Sequence, residues 1–143
     1  PMRRRKQVTQ QSYFNFTFRI DSKELRVINA QFCAALNAEL NTGDAWEIPY
    51  DPLNNCGLYK PLTKARHKLN GEYWKAINPR RFKLPVCEDA NERSGVAVHH
   101  VALMNTKEDM DLIAAAVKKI VDNIQEVRDL NIGPQKKYQA LSR

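Results

Sequence analysis

The segment "NTKEDMDLIAAAVKKIVDNI" (residues 105–124) constrains this chain most, because only one local structure satisfies it. Met110, Ile113, Ala114, Val117, Ile120, Val121 and Ile124 recur at helical spacing and predict one continuous apolar stripe. Thr106 is a natural N-cap, with Asp109 three residues on to close a capping box and acidic residues in the first turn. A helix apolar on one side must be buried against another layer. The rest of the chain therefore has to supply that layer.

It does so with a strand. "SYFNFTFRID" (12–21) alternates, with Phe14, Phe16, Phe18 and Ile20 on one side and Tyr13, Asn15, Thr17 and Arg19 on the other. An aromatic row on a strand serves either as core or as an RNA-stacking surface. No RNP-like glycine and basic pattern accompanies it, which favours the core. "NAQFCAALNAEL" (29–40) reads as a second helix, with Phe32, Cys33, Leu36 and Leu40 on its buried side and Gly43 available for a left-handed cap.

A short strand around Trp46–Ile48 follows, then a loop broken by Pro49, Pro52, Asn54–Asn55 and Gly57. Residues 62–83 are polar and basic with little periodicity, anchored through Tyr73 and Trp74. "LPVCEDANERSG" opens a short helix after Pro85, whose Glu88, Asp89 and Glu92 read as a solvated face. "GVAVHHVAL" (95–103) reads as a buried extended segment. The fold class is thus α+β, a small, mostly antiparallel sheet with helices on one face.

The 143 residues suit one domain. Three cysteines at wide spacing (Cys33, Cys56, Cys87) argue against a disulfide framework and a CxxC zinc site, and for a reduced, cytoplasmic setting. No apolar stretch approaches the ~20 residues that span a bilayer. The chain begins with Pro1, not an initiator residue, which reads as a segment cut from something longer.

The net charge of +7 invites an anionic partner, through the run Arg3–Lys6 and the clusters Lys60–Lys68 and Lys75–Lys83. Solvated surface charge explains the same residues. Neither GxSxG nor a phosphate-cradling glycine motif is present. His99 and His100, adjacent in an extended segment, would face opposite sides and could not readily share a metal. No catalytic, cofactor-binding or metal-ligating residue can be assigned from the residues alone.

The order of segments nevertheless resembles the C-terminal small domain of the StrS/DegT-type sugar aminotransferases, pyridoxal-phosphate (PLP) enzymes of fold type I. The resemblance runs through "QQSYFNFTFRID", "FCAALNAEL", "IPYDPLNNCGLYKPL", "LPVCEDANERSG", "VAVHHVALMN" and "EDMDLIAAAVKKI", in that order, from about Val8 to Val127. The paired histidine is similar to the branch of 3-amino-5-hydroxybenzoate synthases and scyllo-inosose aminotransferases.

The resemblance implies a small-domain-like unit (11–127) after a basic N-terminal segment (1–10); the loss of the apolar pattern after about Arg128, with Gly133–Pro134, reads as a loosely ordered basic tail (128–143). It implies amination of a keto-sugar or keto-cyclitol, with glutamate or glutamine as donor. The Schiff-base lysine and the carboxylate for the pyridinium nitrogen would lie on a separate large domain, so this chain alone would be inactive and hold no PLP. Tyr59, His99 and His100 would border the cleft between the domains and read substrate hydroxyls, with one histidine facing the cleft and the other structural. The implied partners are the large PLP-binding domain and a second copy of the chain. Two other readings stay open: a small basic module for RNA or another polyanion, and a stand-alone relic domain with an interaction role.

Overall fold

A computed structural model describes residues 6–7, 9, 14–56 and 70–132 of the chain. The described residues form the expected α+β layers. Strand β1 (Asn15–Arg19) is followed by a single helical turn α1 (Ser22–Leu25), helix α2 (Asn29–Leu40) and strand β2 (Ala45–Glu47). After the undescribed segment come α3 (Gly71–Ile77), α4 (Pro85–Asp89) and β3 (Gly95–His99), then α5 (Lys107–Asp122) and α6 (Ile124–Arg128). The strands pair antiparallel in the order β1-β3-β2.

The last strand in sequence is therefore central. Val96, Ala97 and Val98 are buried because β3 is flanked on both edges. Phe18, Val96, Val98 and Ala45 share the face on which Phe32 and Leu36 of α2 pack, Phe32 meeting Phe18 edge-on at 6.2 Å. Helix α5 lies against α2, and Lys119 reaches both carboxylate oxygens of Glu39 at 2.8 Å. Thr106 and Asp109 form the expected capping box.

The stripe on α5 is rotated from the expected one. Ala116 and Ile120 are buried, with Ile113 and Val117 half-buried beside them, whereas Ala114 and Val121 are exposed. Helix α2 covers one arc of α5, and the edges of a wide stripe stay outside it. The cap of α2 also differs. Asn41, not Gly43, takes the left-handed conformation (φ 51°), and Asn is the non-glycine residue that does so at least cost.

The row of aromatics is buried at one end only. Ile20 is in the core and Phe18 packs against it, but Phe16 is 41% exposed and Phe14 74%. Helix α2 lies mainly over β2 and β3 and meets β1 at Phe18 through Phe32, which leaves Phe14 and Phe16 largely uncovered. Within the basic stretch 62–83, residues 71–77 form α3, capped by Asn70, whose side chain accepts from Tyr73 N at 2.7 Å. Its anchors are weak: Trp74 is half-buried and Tyr73 exposed.

Two asparagines organise the region between the layers. Asn37 of α2 donates to Ala45 O (2.8 Å) and accepts from Ala45 N (2.9 Å), so the outer edge of β2 is paired by a side chain. Asn29, 1% exposed, donates Nδ2 to both Asn91 O and Gly95 O at 3.0 Å. Asn91 in turn donates to Ile48 O and Tyr50 O. The turn at Ala90–Ser94 is a π-helical turn closed by Gly95 N donating to Ala90 O. Beyond α5, Gln31 donates to Arg128 O and Leu130 O, and Arg128 Nε to Leu25 O, which ties residues up to 130 to the start of α2. The remainder of the expected tail, 133–143, lies outside the described residues.

Glu88 and Asp89 are not the solvated pair expected of them. Glu88 accepts from Asn54 Nδ2 (2.8 Å) and Leu84 N (3.2 Å), which hold its carboxyl below the usual range. Asp89 accepts from Ser94 Oγ (2.8 Å) and pairs with Arg19 at 2.7 Å, and the Ser94 hydroxyl does most to lower its pKa. A folded-state pKa below the unfolded one adds stability that is complete above about pH 4 and is lost as pH falls through the depressed value. Asp89→Asn should therefore flatten the acid limb of the stability curve below about pH 4, measured by denaturant melts at stepped pH. An unchanged limb would show that Asp89 is not held in its charged form by the fold.

Candidate functional site

Strand β3 ends at His99, and His100 begins a 3-10 turn, His100–Leu103. This single fact overturns the expected opposition of the two histidines. Alternation holds only while the chain stays extended. Once it coils after His99, the second ring swings back beside the first. The rings lie 4.3 Å apart, tilted by 47°.

Each ring has a further aromatic partner. His99 meets Trp46 of β2 edge-on at 5.2 Å, and His100 stacks on Phe14 at 6.1 Å. The result is a continuous row of four rings, Trp46–His99–His100–Phe14, across one end of the sheet. Trp46 and His99 belong to the face opposite α2, together with Asn15, Thr17 and Ala97. Asn15 stands directly opposite His99 in the register. Its Oδ1 is buried and has no hydrogen-bond partner.

The two histidines differ in what holds them. His99 is fixed by its backbone, its N–H donating to Asp44 O at 2.9 Å, and by the indole edge. His100 Nδ1 lies 3.1 Å from Phe14 O. A carbonyl only accepts, so Nδ1 carries the proton and the lone pair of the neutral ring sits on Nε2. His100 can thus offer one acceptor at this end of the sheet, whereas the Asn15 oxygen is closed off from solvent. Both rings are half-buried.

The sequence pointed to the histidines but not to Trp46, Phe14 and Asn15 as their companions. The third expected contact, Tyr59, lies outside the described residues. No group of three metal-ligating side chains converges among the described residues. Cys33 is no nucleophile: burial first, and Glu47 second, push its thiol up to about 12. No described helix is long and apolar enough to cross a membrane.

The described residues do not fit PLP. Its Schiff-base lysine must be desolvated to lose its proton near neutral pH, yet Lys6, Lys23, Lys75, Lys83, Lys107, Lys118 and Lys119 are all exposed.

No protein-family model matches the chain. Curated relatives do. It is 38% identical over 111 residues to an L-glutamine:2-deoxy-scyllo-inosose aminotransferase of Streptomyces paromomycinus, covering 77% of this chain and 26% of that protein. A protein of the same name from Streptoalloteichus tenebrarius is 43% identical over 94 residues, covering 66% and 22%. Over most of its length the chain is similar to scyllo-inosose aminotransferases. An L-glutamine:scyllo-inosose aminotransferase of Streptomyces griseus extends the match to 120 residues at 33% identity, covering 83% and 28%. The chain spans about a quarter of the length of these relatives.

Proposed function

We propose that this chain is the C-terminal small domain of a PLP-dependent aminotransferase that aminates a keto-sugar or keto-cyclitol with glutamine or glutamate. The observation that carries this reading is the similarity to glutamine:inosose aminotransferases over most of this chain and only a quarter of theirs. On this reading the unit runs from 11 to 127, and the large domain, on the same or a separate polypeptide, carries the cofactor lysine. When bound there, PLP supplies the electron sink for moving an amino group.

The chain's own task is to bind and orient the keto substrate. A polyhydroxylated ring presents apolar C–H faces and hydroxyl edges together. The row Trp46–His99–His100–Phe14 offers aromatic surface for the first, and His100 Nε2 offers an acceptor for the second. His99, held from both sides, is the structural member of the pair. Tyr59 remains a further proposed contact. The exposed Phe14, Phe16, Val101 and Met104 flank the same end of the sheet and would be covered by the large domain. The assembled enzyme would act in the cytoplasm as a homo-oligomer.

The test is a PLP titration of the 143-residue chain, followed by joining it to the remaining three quarters of a scyllo-inosose aminotransferase. The chain alone should show no saturable absorbance change that glutamate reverses; such a change would overturn the assignment. The joined protein should transaminate. There His100→Ala should lower kcat/KM for the keto-cyclitol about three- to tenfold, the worth of one hydrogen bond, and leave the reaction with glutamine unchanged. Equal losses with both substrates would remove His100 from the keto site.

A further inference from the structure

A cavity of about 400 Å³ lies away from the histidine row, at the elbow between α1 and α2. Three cations border it: Lys23 on α1, Arg26 at the end of α1, and Arg93 in the turn before β3. None of the three forms a salt bridge among the described residues, although Arg93 does attract Asp89. No acidic side chain lines the cavity. Arg26 holds a left-handed conformation (φ 54°), a backbone region that is costly for a non-glycine residue.

The wall of this cavity also holds Ser22, only 6% exposed. Its hydroxyl makes no hydrogen bond among the described residues, which leaves it free to donate into the cavity. Val27 and Ile28 complete the wall, Ile28 with 40% of its surface exposed. They lead into α2, a twelve-residue helix with no acidic residue in its first turn, so its dipole adds positive potential on the same side.

We propose that this elbow binds a phosphate group, free or carried by a small organic molecule. Arg26, Arg93 and Lys23 supply the charge, the Ser22 hydroxyl a neutral donor, and Val27 and Ile28 an apolar wall for the body of an ester. The volume falls within the about 300–1,000 Å³ of small-molecule sites. The site is independent of the aminotransferase reading, because none of its residues belongs to the histidine row.

The experiment is an NMR titration of the full 143-residue chain, once with inorganic phosphate and once with glycerol 3-phosphate. Saturable shifts confined to the amides of Ser22, Arg26, Val27 and Arg93 are expected. Tighter binding of the ester identifies a phosphorylated small molecule; equal binding identifies the phosphate group alone. Arg93→Gln should weaken binding about tenfold, the worth of one hydrogen bond to a charged group, and Ser22→Ala about three- to tenfold. Ser22→Ala breaks no hydrogen bond, so its fold should survive. Lys83→Gln, an exposed cation outside the cavity, should change nothing. Shifts spread over the whole basic surface, or equal loss in Lys83→Gln and Arg93→Gln, would reduce the effect to diffuse charge and overturn the proposal.

Discussion

Gly95→Ala should unfold this domain more readily than any surface change, lowering stability by about 3 kcal/mol or more, the upper end for overpacking. A Cβ at position 95 would overlap both Ala90 O and Ile48 Cγ1. The backbone φ of −85° is ordinary, so the demand for glycine comes from closeness rather than from conformation. Ile48 can turn its side chain away. Ala90 O cannot move as easily, because Gly95 N donates to it and Asn29 holds the next carbonyl, Asn91 O.

A thermal melt would read the change as a fall of roughly 10 °C for a domain of this size. The companion variant Ile48→Ala separates the two contacts. If Gly95→Ala is rescued in the Ile48→Ala background, the side chain was the obstacle. If it is not, the carbonyl was. A Gly95→Ala melt within about 2 °C of the parent would refute the close approach altogether.

Asn29→Ala should cost about 3 kcal/mol, because it strands two buried carbonyls at about 1–3 kcal/mol each. Asn91 O and Gly95 O both take their hydrogen from the one Asn29 amide, and Asn29 Oδ1 accepts from Ala30 N. Asn29→Asp keeps the shape and removes the donor, setting a carboxylate against two carbonyl oxygens. Its folded-state pKa would be raised, so that variant should gain stability relative to the parent as pH falls and the carboxyl becomes a donor. Chemical denaturation at pH 7 and pH 5 measures both effects. An Asn29→Asp protein equally stable at both, relative to the parent, would show that the amide protons are not what the site needs.

Neither residue stood out in the sequence, and the reason is the same for both. Asn29 works through partners 62 and 66 residues away, and Gly95 through a turn and an edge strand that approach only in the fold. An asparagine at a helix start and a glycine before an apolar run have many local explanations. Only the long-range geometry selects one.

The histidine row teaches a similar lesson. "HH" was visible as an unusual pair, but its geometry turned on where β3 stops. An extended pair would have been split across the sheet. The 3-10 turn at His100 instead brings the rings to 4.3 Å and makes Phe14 O the partner of Nδ1. Trp46 joined the row through pairing of β2 with β3, about 50 residues apart in the chain.

By itself the sequence determined the helices α2 and α5, the capping box at Thr106 and Asp109, the existence of β1, and the α+β class. These rest on contacts within three or four residues and on the two side-chain periods, which a chain cannot satisfy in any other way. Tertiary structure alone decided which strand is central, which side of α5 is buried, and which end of the aromatic row stays open. It also decided which polar side chains meet. Burial and buried hydrogen bonding are set by what arrives from elsewhere in the chain, and no local pattern records that arrival.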